Sequence, residues 1–389
     1  MGVKRSVEQL ASSVSEKEKT YGLKTHDYKS VWKFACVVKG HPVLFYALAD
    51  WLFDGNQLIV VKGNHDLEWH WQLVRNYLRL VMSDCAAERN GKSIPSALTE
   101  IVLPNLSFVG NAVVIDKEVY VEHGHRYDKF SHVLGKPTLG DGGEELNIPF
   151  GSFFNRYLVN KLELVYPFFD NVRPKQNIIH MLMRERFFLG IKVLFKYVPF
   201  AIRMVPKGYI RYMLKPLVFY AIAFFVPLGI IIALWGQRLG FWLVSAANPD
   251  PITSVWDILK SQAGGFIKDT AVMFLSYLFS RIVSRVQLEE KEYLMEPAMK
   301  LLHDNPNVRC VTMGHTHNPE QCIENGRWYI NSSTWVPVIE SSSAQVREDK
   351  TYAVLHLDRD GAGSLRVHPL QRWNDDAGRL ESLVIVDRK

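Results

Sequence analysis

Cysteine is scarce in this chain. There are four in 389 residues, Cys36, Cys85, Cys310 and Cys322, with no CxxC spacing. A disulfide framework needs denser sulfur, so none is expected, and the usage fits a reduced compartment. Cys310 falls in an apolar run and is expected in the core. An apolar stretch near the start is also lacking. Met1–Lys19 is polar and charged, which excludes a secretory signal within it. No internal repeat or low-complexity run is evident. Net charge is modest at +6, with 22% charged and 48% hydrophobic residues, as in a globular protein.

The charge is unevenly placed. Between Met181 and Pro216 eight Arg or Lys stand against one acid, Glu185, and aromatic residues interleave with them. Such a stretch suits an anionic membrane surface or nucleic acid. The next segment favours the membrane. Leu217 to Trp235 is nineteen residues without a charge, long enough to cross a bilayer. A second apolar segment runs from Phe266 to Val283. The expectation is a transmembrane hairpin in the inner (plasma) membrane, with positive outer flanks and the catalytic part cytoplasmic. Membrane lipids are then partners and nucleic acid is not. A monotopic arrangement is the alternative, and a buried core helix is the plain structural reading.

Three short histidine motifs are spread over roughly 250 residues: Gly63-Asn64-His65-Asp66, His123-Gly124-His125 and Gly314-His315-Thr316-His317. Each follows an apolar β-type run, Leu58–Lys62, Glu118–Glu122 and Val308–Met313. Imidazole and amide ligands at strand ends, distant in sequence, point to a metal site assembled by a folded sheet.

The trio resembles the calcineurin-like metallophosphoesterase superfamily, whose later motifs are GNH(D/E), a single His and GHxH in that order. The resemblance implies an α/β fold, a four-layer α/β sandwich with mixed sheets, interrupted here by a hydrophobic helical insertion. It implies a hydrolase that uses two divalent metal ions, Mn first, with Fe, Zn or Co as alternatives. Asn64, His123 and His315 would bind one metal and His317 the other. His65 would act on the phosphoryl group or the leaving oxygen, and Asp66 would orient His65. His125 stands where the UDP-2,3-diacylglucosamine pyrophosphatase branch often has Asp; it would either support a ligand or lie on the surface. In that branch an insertion after the second motif caps the site. By that logic the substrate here is a phosphate ester or pyrophosphate, lipid-linked, with Arg126, Arg156 and Arg173 as its anion contacts.

The family's first two motifs, DxH and GDxx(D/G), are not found in the residues before Asn64. The nearest substitutes are Thr25-His26-Asp27 and Asp50–Asp54, the latter ending a helix predicted over Pro42–Phe53. Two readings follow. The chain begins downstream of a complete enzyme's start, or it is a catalytically impaired relative serving as a membrane scaffold or binding protein. Three divisions are expected. Residues 1–150 form the first part of the phosphoesterase domain, 151–285 the basic and hydrophobic insertion, and 286–389 the remainder of the domain.

Overall fold

The computed structural model describes residues 14–128, 131–139, 142–163, 172–173, 186, 188, 294–336, 339–340, 345–346, 352–383 and 385. The chain divides into two units, and every described residue belongs to the first, Met1–Met204 with Glu292–Lys389.

Three helices open the described chain: α1 (Glu16–Tyr21), α2 (Asp27–Gly40) and α3 (Pro42–Phe53). The α1 start is a capping box. The Ser15 side chain accepts from the Glu18 amide while Glu18 bonds back to the Ser15 amide, satisfying donors that the first turn leaves unpaired. In α3, Pro42 stands in the first turn, where its missing N–H costs nothing. Gly55 then ends the helix at φ 83°.

Strand β1 (Leu58–Val61) follows, then α4 (Gln72–Asn90) and β2 (Leu106–Val109). β1 and β2 pair in parallel from Leu58↔Leu106 to Val61↔Val109. Phe45, Ala49 and Leu52 of α3 bury against Leu78, Met82 and Ala86 of α4, with Leu58 and Val60 packed onto the cluster.

A five-stranded mixed sheet carries the rest of the frame. Its strands are β3 (Ala112–Ile115), β4 (Val119–Glu122), β5 (Cys310–Met313), β6 (Glu320–Glu324) and β7 (Arg327–Asn331), in the order β3-β4-β5-β7-β6. The β3–β4 hairpin turns at Asp116-Lys117, as the sequence predicts, with φ positive at both residues (50° and 65°). The register pairs Ile115 with Val119, so three residues make the loop, and the Glu118 amide donates to the Ile115 carbonyl at 3.0 Å within it. β5 runs parallel to both β4 and β7.

Both faces of this sheet are covered. Helix α5 (Met295–Asp304) presses Ala298 and Leu302 onto Val311, Met313 and Tyr329. The neighbouring Ile330 points the other way, onto Ala353, Leu370 and Leu383. The alternation is the period-two of a strand, and it explains why β5 is buried at every residue. Cys310 is fully buried, as expected. A β-rich end follows, with β8 (Ala353–Val354), β9 (Leu357–Arg359), β10 (Leu365–Val367), β11 (Gln371–Asn374) and β12 (Arg379–Ser382).

The expectation of transmembrane helices is corrected here. Among the described residues no helix is long and apolar enough to cross a membrane. The two segments that carried the expectation, 217–235 and 266–283, lie outside the described residues. Mixed α/β architecture, with several sheets, is as expected. Three residues of the substitutes for the absent motifs have ordinary partners. Asp50 pairs with Arg89 at 3.3 Å. The Thr25 hydroxyl accepts from the Leu146 amide, and Asp27 accepts from the Tyr28 amide at the start of α2.

Lys29 and Glu18 form an ion pair with side chains only 3% and 4% exposed. Burial pushes the Glu18 carboxyl up. Hydrogen bonds from Lys29, from the Lys24 and Ser15 amides and from the Ser15 hydroxyl outweigh it and bring the pKa down to about 2. A depressed carboxyl stabilises the fold above its unfolded value, and that contribution is lost as pH falls through the folded value. Lys29→Ala strands a buried carboxylate and is expected to cost about 3–5 kcal/mol in urea unfolding. Between the ordinary value of 4.5 and about 2, wild-type stability should fall more steeply than that of Glu18→Gln. Equal acid slopes would contradict this.

Candidate metal centre

The geometry begins with the parallel pair β4–β5. Their register runs Val119↔Cys310, Tyr120↔Val311, Val121↔Thr312. Continued past the carboxyl ends, it brings His123 beside Gly314, and the Gly314 amide donates to the His123 carbonyl at 3.1 Å. Two histidine motifs, at 123–125 and 314–317, thus leave the sheet side by side. Carboxyl ends of adjacent parallel strands are where open α/β sheets place their sites.

Gly124 turns the chain at φ 97°, so His123 and His125 point back at each other. Their Nδ1 atoms are 3.2 Å apart. One donates and the other accepts, so the two rings hold complementary tautomers. His123 and His315 ring centroids are 5.3 Å apart. The third motif reaches the same place from the other sheet. A Cβ added to Gly63 would lie 2.8 Å from His123 Cδ2 and 2.9 Å from its Nε2. Glycine is therefore the residue that lets the Asn64 loop and His123 touch.

Burial pushes the His123 pKa down to about 3, and the charges of His315, His125, His65 and His317 push the same way. Four imidazoles therefore act on the fifth. Burial, then His315 and Lys62, lowers His125 to about 4. Both rings are unprotonated at neutral pH, with lone pairs available.

Two histidines in the GHTH loop are in the left-handed region, His315 at φ 68° and His317 at φ 56°. Each such residue costs on the order of 1–3 kcal/mol, and such strain clusters at functional sites. The loop is braced by Asn331, which is fully buried at the end of β7. Its amide nitrogen donates to the Gly314 carbonyl and to Thr316 Oγ1, both at 2.9 Å, and its amide oxygen accepts from the Ser333 amide.

Asn64 is 3% exposed, yet its Oδ1 is buried with no hydrogen-bond partner. An orphaned buried amide oxygen costs about 1–3 kcal/mol. An acceptor left open beside unprotonated imidazoles fits a divalent cation, since oxygen and imidazole nitrogen are both its ligands. His65 is exposed beside it.

Asp66 holds the loop itself. Its Oδ1 accepts from the Gly63 amide at 2.6 Å and its Oδ2 from Trp69 Nε1 at 2.9 Å. Burial raises its pKa against those bonds.

Asp128 belongs to none of the three motifs. Its Oδ2 lies 3.1 Å from His315 Nε2 and accepts from Ser131 Oγ at 2.6 Å. That fixes the His315 tautomer and leaves Nδ1 as the lone-pair nitrogen, the usual carboxylate support of a ligating histidine. Its place five residues after His123, on the same loop, was the available signal. Lys62 was missed altogether; it is half-buried just before the GNHD motif, and burial lowers its ammonium pKa.

The three arginines expected at the substrate fare differently. Arg126 is bound to Glu122 at 2.9 Å and to the Tyr120 and Tyr127 hydroxyls, so it locks its own hairpin. Arg156 donates to the Gly22 carbonyl at 2.6 Å. Arg173 ends a two-residue strand, Val172–Arg173, and its side chain lies outside the described residues.

Comparison with family models, curated proteins and solved structures finds no match.

Gly63→Ala tests the close approach of the two loops. It should displace the His123 ring and weaken Mn2+ binding by about 10–100-fold, the range for changes that misorient a ligating histidine, with an unchanged circular dichroism spectrum. Unaltered affinity by calorimetry would contradict the geometry.

Proposed function

We propose that this chain is a metal-dependent phosphoesterase that hydrolyses a phosphate ester or pyrophosphate, built on the four-layer sandwich of the metallophosphoesterases. The observation that carries the reading is the approach of Gly63 and His315 to His123, together with an Asn64 amide oxygen that is buried without a hydrogen-bond partner. Asn64 Oδ1, His123 Nε2 and His315 Nδ1 would hold one metal, and a nitrogen of His317 would belong to the other. When bound, divalent cations supply Lewis acidity and a hydroxide nucleophile near neutral pH.

The remaining chemistry belongs to the chain. His125 fixes the His123 ring through the Nδ1 contact, so that Nε2 faces inward. Asp128 does the same for His315. Exposed His65 is placed to donate a proton to the leaving oxygen, and Asp66 holds the backbone turn that presents it. Lys62 adds a positive charge that attracts an anionic substrate.

The test separates binding from chemistry, using bis(p-nitrophenyl) phosphate with Mn2+. His65→Ala should keep the metal and lower kcat by about 10²–10⁴-fold, the range for loss of a general acid. His123→Ala should lose both metal and turnover. A wild-type chain that binds Mn2+ but hydrolyses neither this ester nor a pyrophosphate would favour the scaffold reading instead.

A further inference from the structure

We propose that His356, Asp358 and His368 form a second divalent-cation site, on the β9–β10 ribbon, that takes a borderline metal such as Zn2+. It does not depend on the phosphoesterase reading. One ligand atom from each residue lies within 4.8 Å of the others.

The hairpin builds the cluster. Its register is Leu357↔Val367, Asp358↔Arg366 and Arg359↔Leu365. One step further, the His368 amide donates to the His356 carbonyl at 3.1 Å, so these two residues face each other across the strands. Residues two apart share a face, which puts His356 and Asp358 on the same side as their partners His368 and Arg366. The turn that fixes this register is tight. Asp360 Oδ1 accepts from the Ala362 and Ser364 amides.

The imidazoles stack with centroids 4.6 Å apart and planes within 7°. His368 Nε2 is 3.0 Å from Asp358 Oδ2, already a spacing that two ligands of one cation can adopt. Two imidazoles and one carboxylate are a usual three-ligand set for zinc, with water completing four.

Arg366 must be accounted for, because it bonds both oxygens of Asp358. A carboxylate offers about four lone-pair sites, so one donor on each oxygen does not exhaust it. The Arg366 side chain is 56% exposed, which lets water screen its charge. Its hydrogen bonds and that of His368 keep the Asp358 carboxyl well below the usual range, so the ligand stays ionised. Zinc binding would replace the His368 Nε2 hydrogen bond to Asp358 with a metal–nitrogen bond. The cation would clip together a ribbon of two short strands, an element only marginally stable unaided.

Equilibrium dialysis of the chelator-stripped full chain against micromolar Zn2+ tests the site. His356→Ala and His368→Ala should each bind one zinc fewer than wild type, and Asp358→Asn should bind this zinc more weakly. His123→Ala should retain it, which separates this site from the centre described above. Zinc should also shift the His356 and His368 ring-proton resonances of the wild type, a readout that stands even if a variant fails to fold. Equal zinc counts in wild type and both histidine variants, or unmoved ring protons, would overturn the proposal.

Discussion

The site hangs on the parallel pairing of β4 with β5. Its last link, the Gly314 amide on the His123 carbonyl, is what sets two distant loops side by side. A shift of one residue in that register would flip the side chains of one strand to the opposite face. The register is held from both sides, because α5 and the C-terminal strands each bury alternate residues of the sheet. Core packing, rather than any contact at the site itself, therefore fixes where the imidazoles meet.

That assembly carries local costs. His315 and His317 hold left-handed backbone, and His123 is partly buried with the His125 and His315 rings beside it. The Asn64 amide oxygen is buried without a partner. Each of these is unfavourable alone, and one cation would relieve the last two together. Asn331, Asp66 and Asp128 meet much of the geometric demand. Each fixes a loop or a ring with two or three hydrogen bonds.

Much of this was legible in the residues. Helix Pro42–Phe53, strand Leu58–Val61 and the Asp116-Lys117 hairpin follow from periodicity and turn chemistry. The three motifs each follow an apolar β-type run in the sequence, and in the structure Gly63 and His315 both approach His123. What spacing does not encode is who supports whom. Asp128 meets His315 across 187 positions, and Asn331 braces a loop through a side chain that reads as an ordinary strand end. Nothing in the sequence marks the ribbon histidines, because a cross-strand pair is visible only once register is known. Apolar length argued for membrane helices, and the described residues hold no helix of that kind. A basic residue next to a ligand motif looks like an anion contact, and spacing does not show that the buried Glu122 pairs with Arg126.

Pulsed electron paramagnetic resonance on the Mn2+-loaded chain tests the central claim most directly. Nitrogens bound to the metal modulate the spin echo, so ligating imidazoles are seen whether or not the chain turns over substrate. The account predicts imidazole modulation in the wild type that weakens in His123→Ala and again in His315→Ala. Manganese bound without that modulation, or with modulation unchanged in both variants, would contradict it.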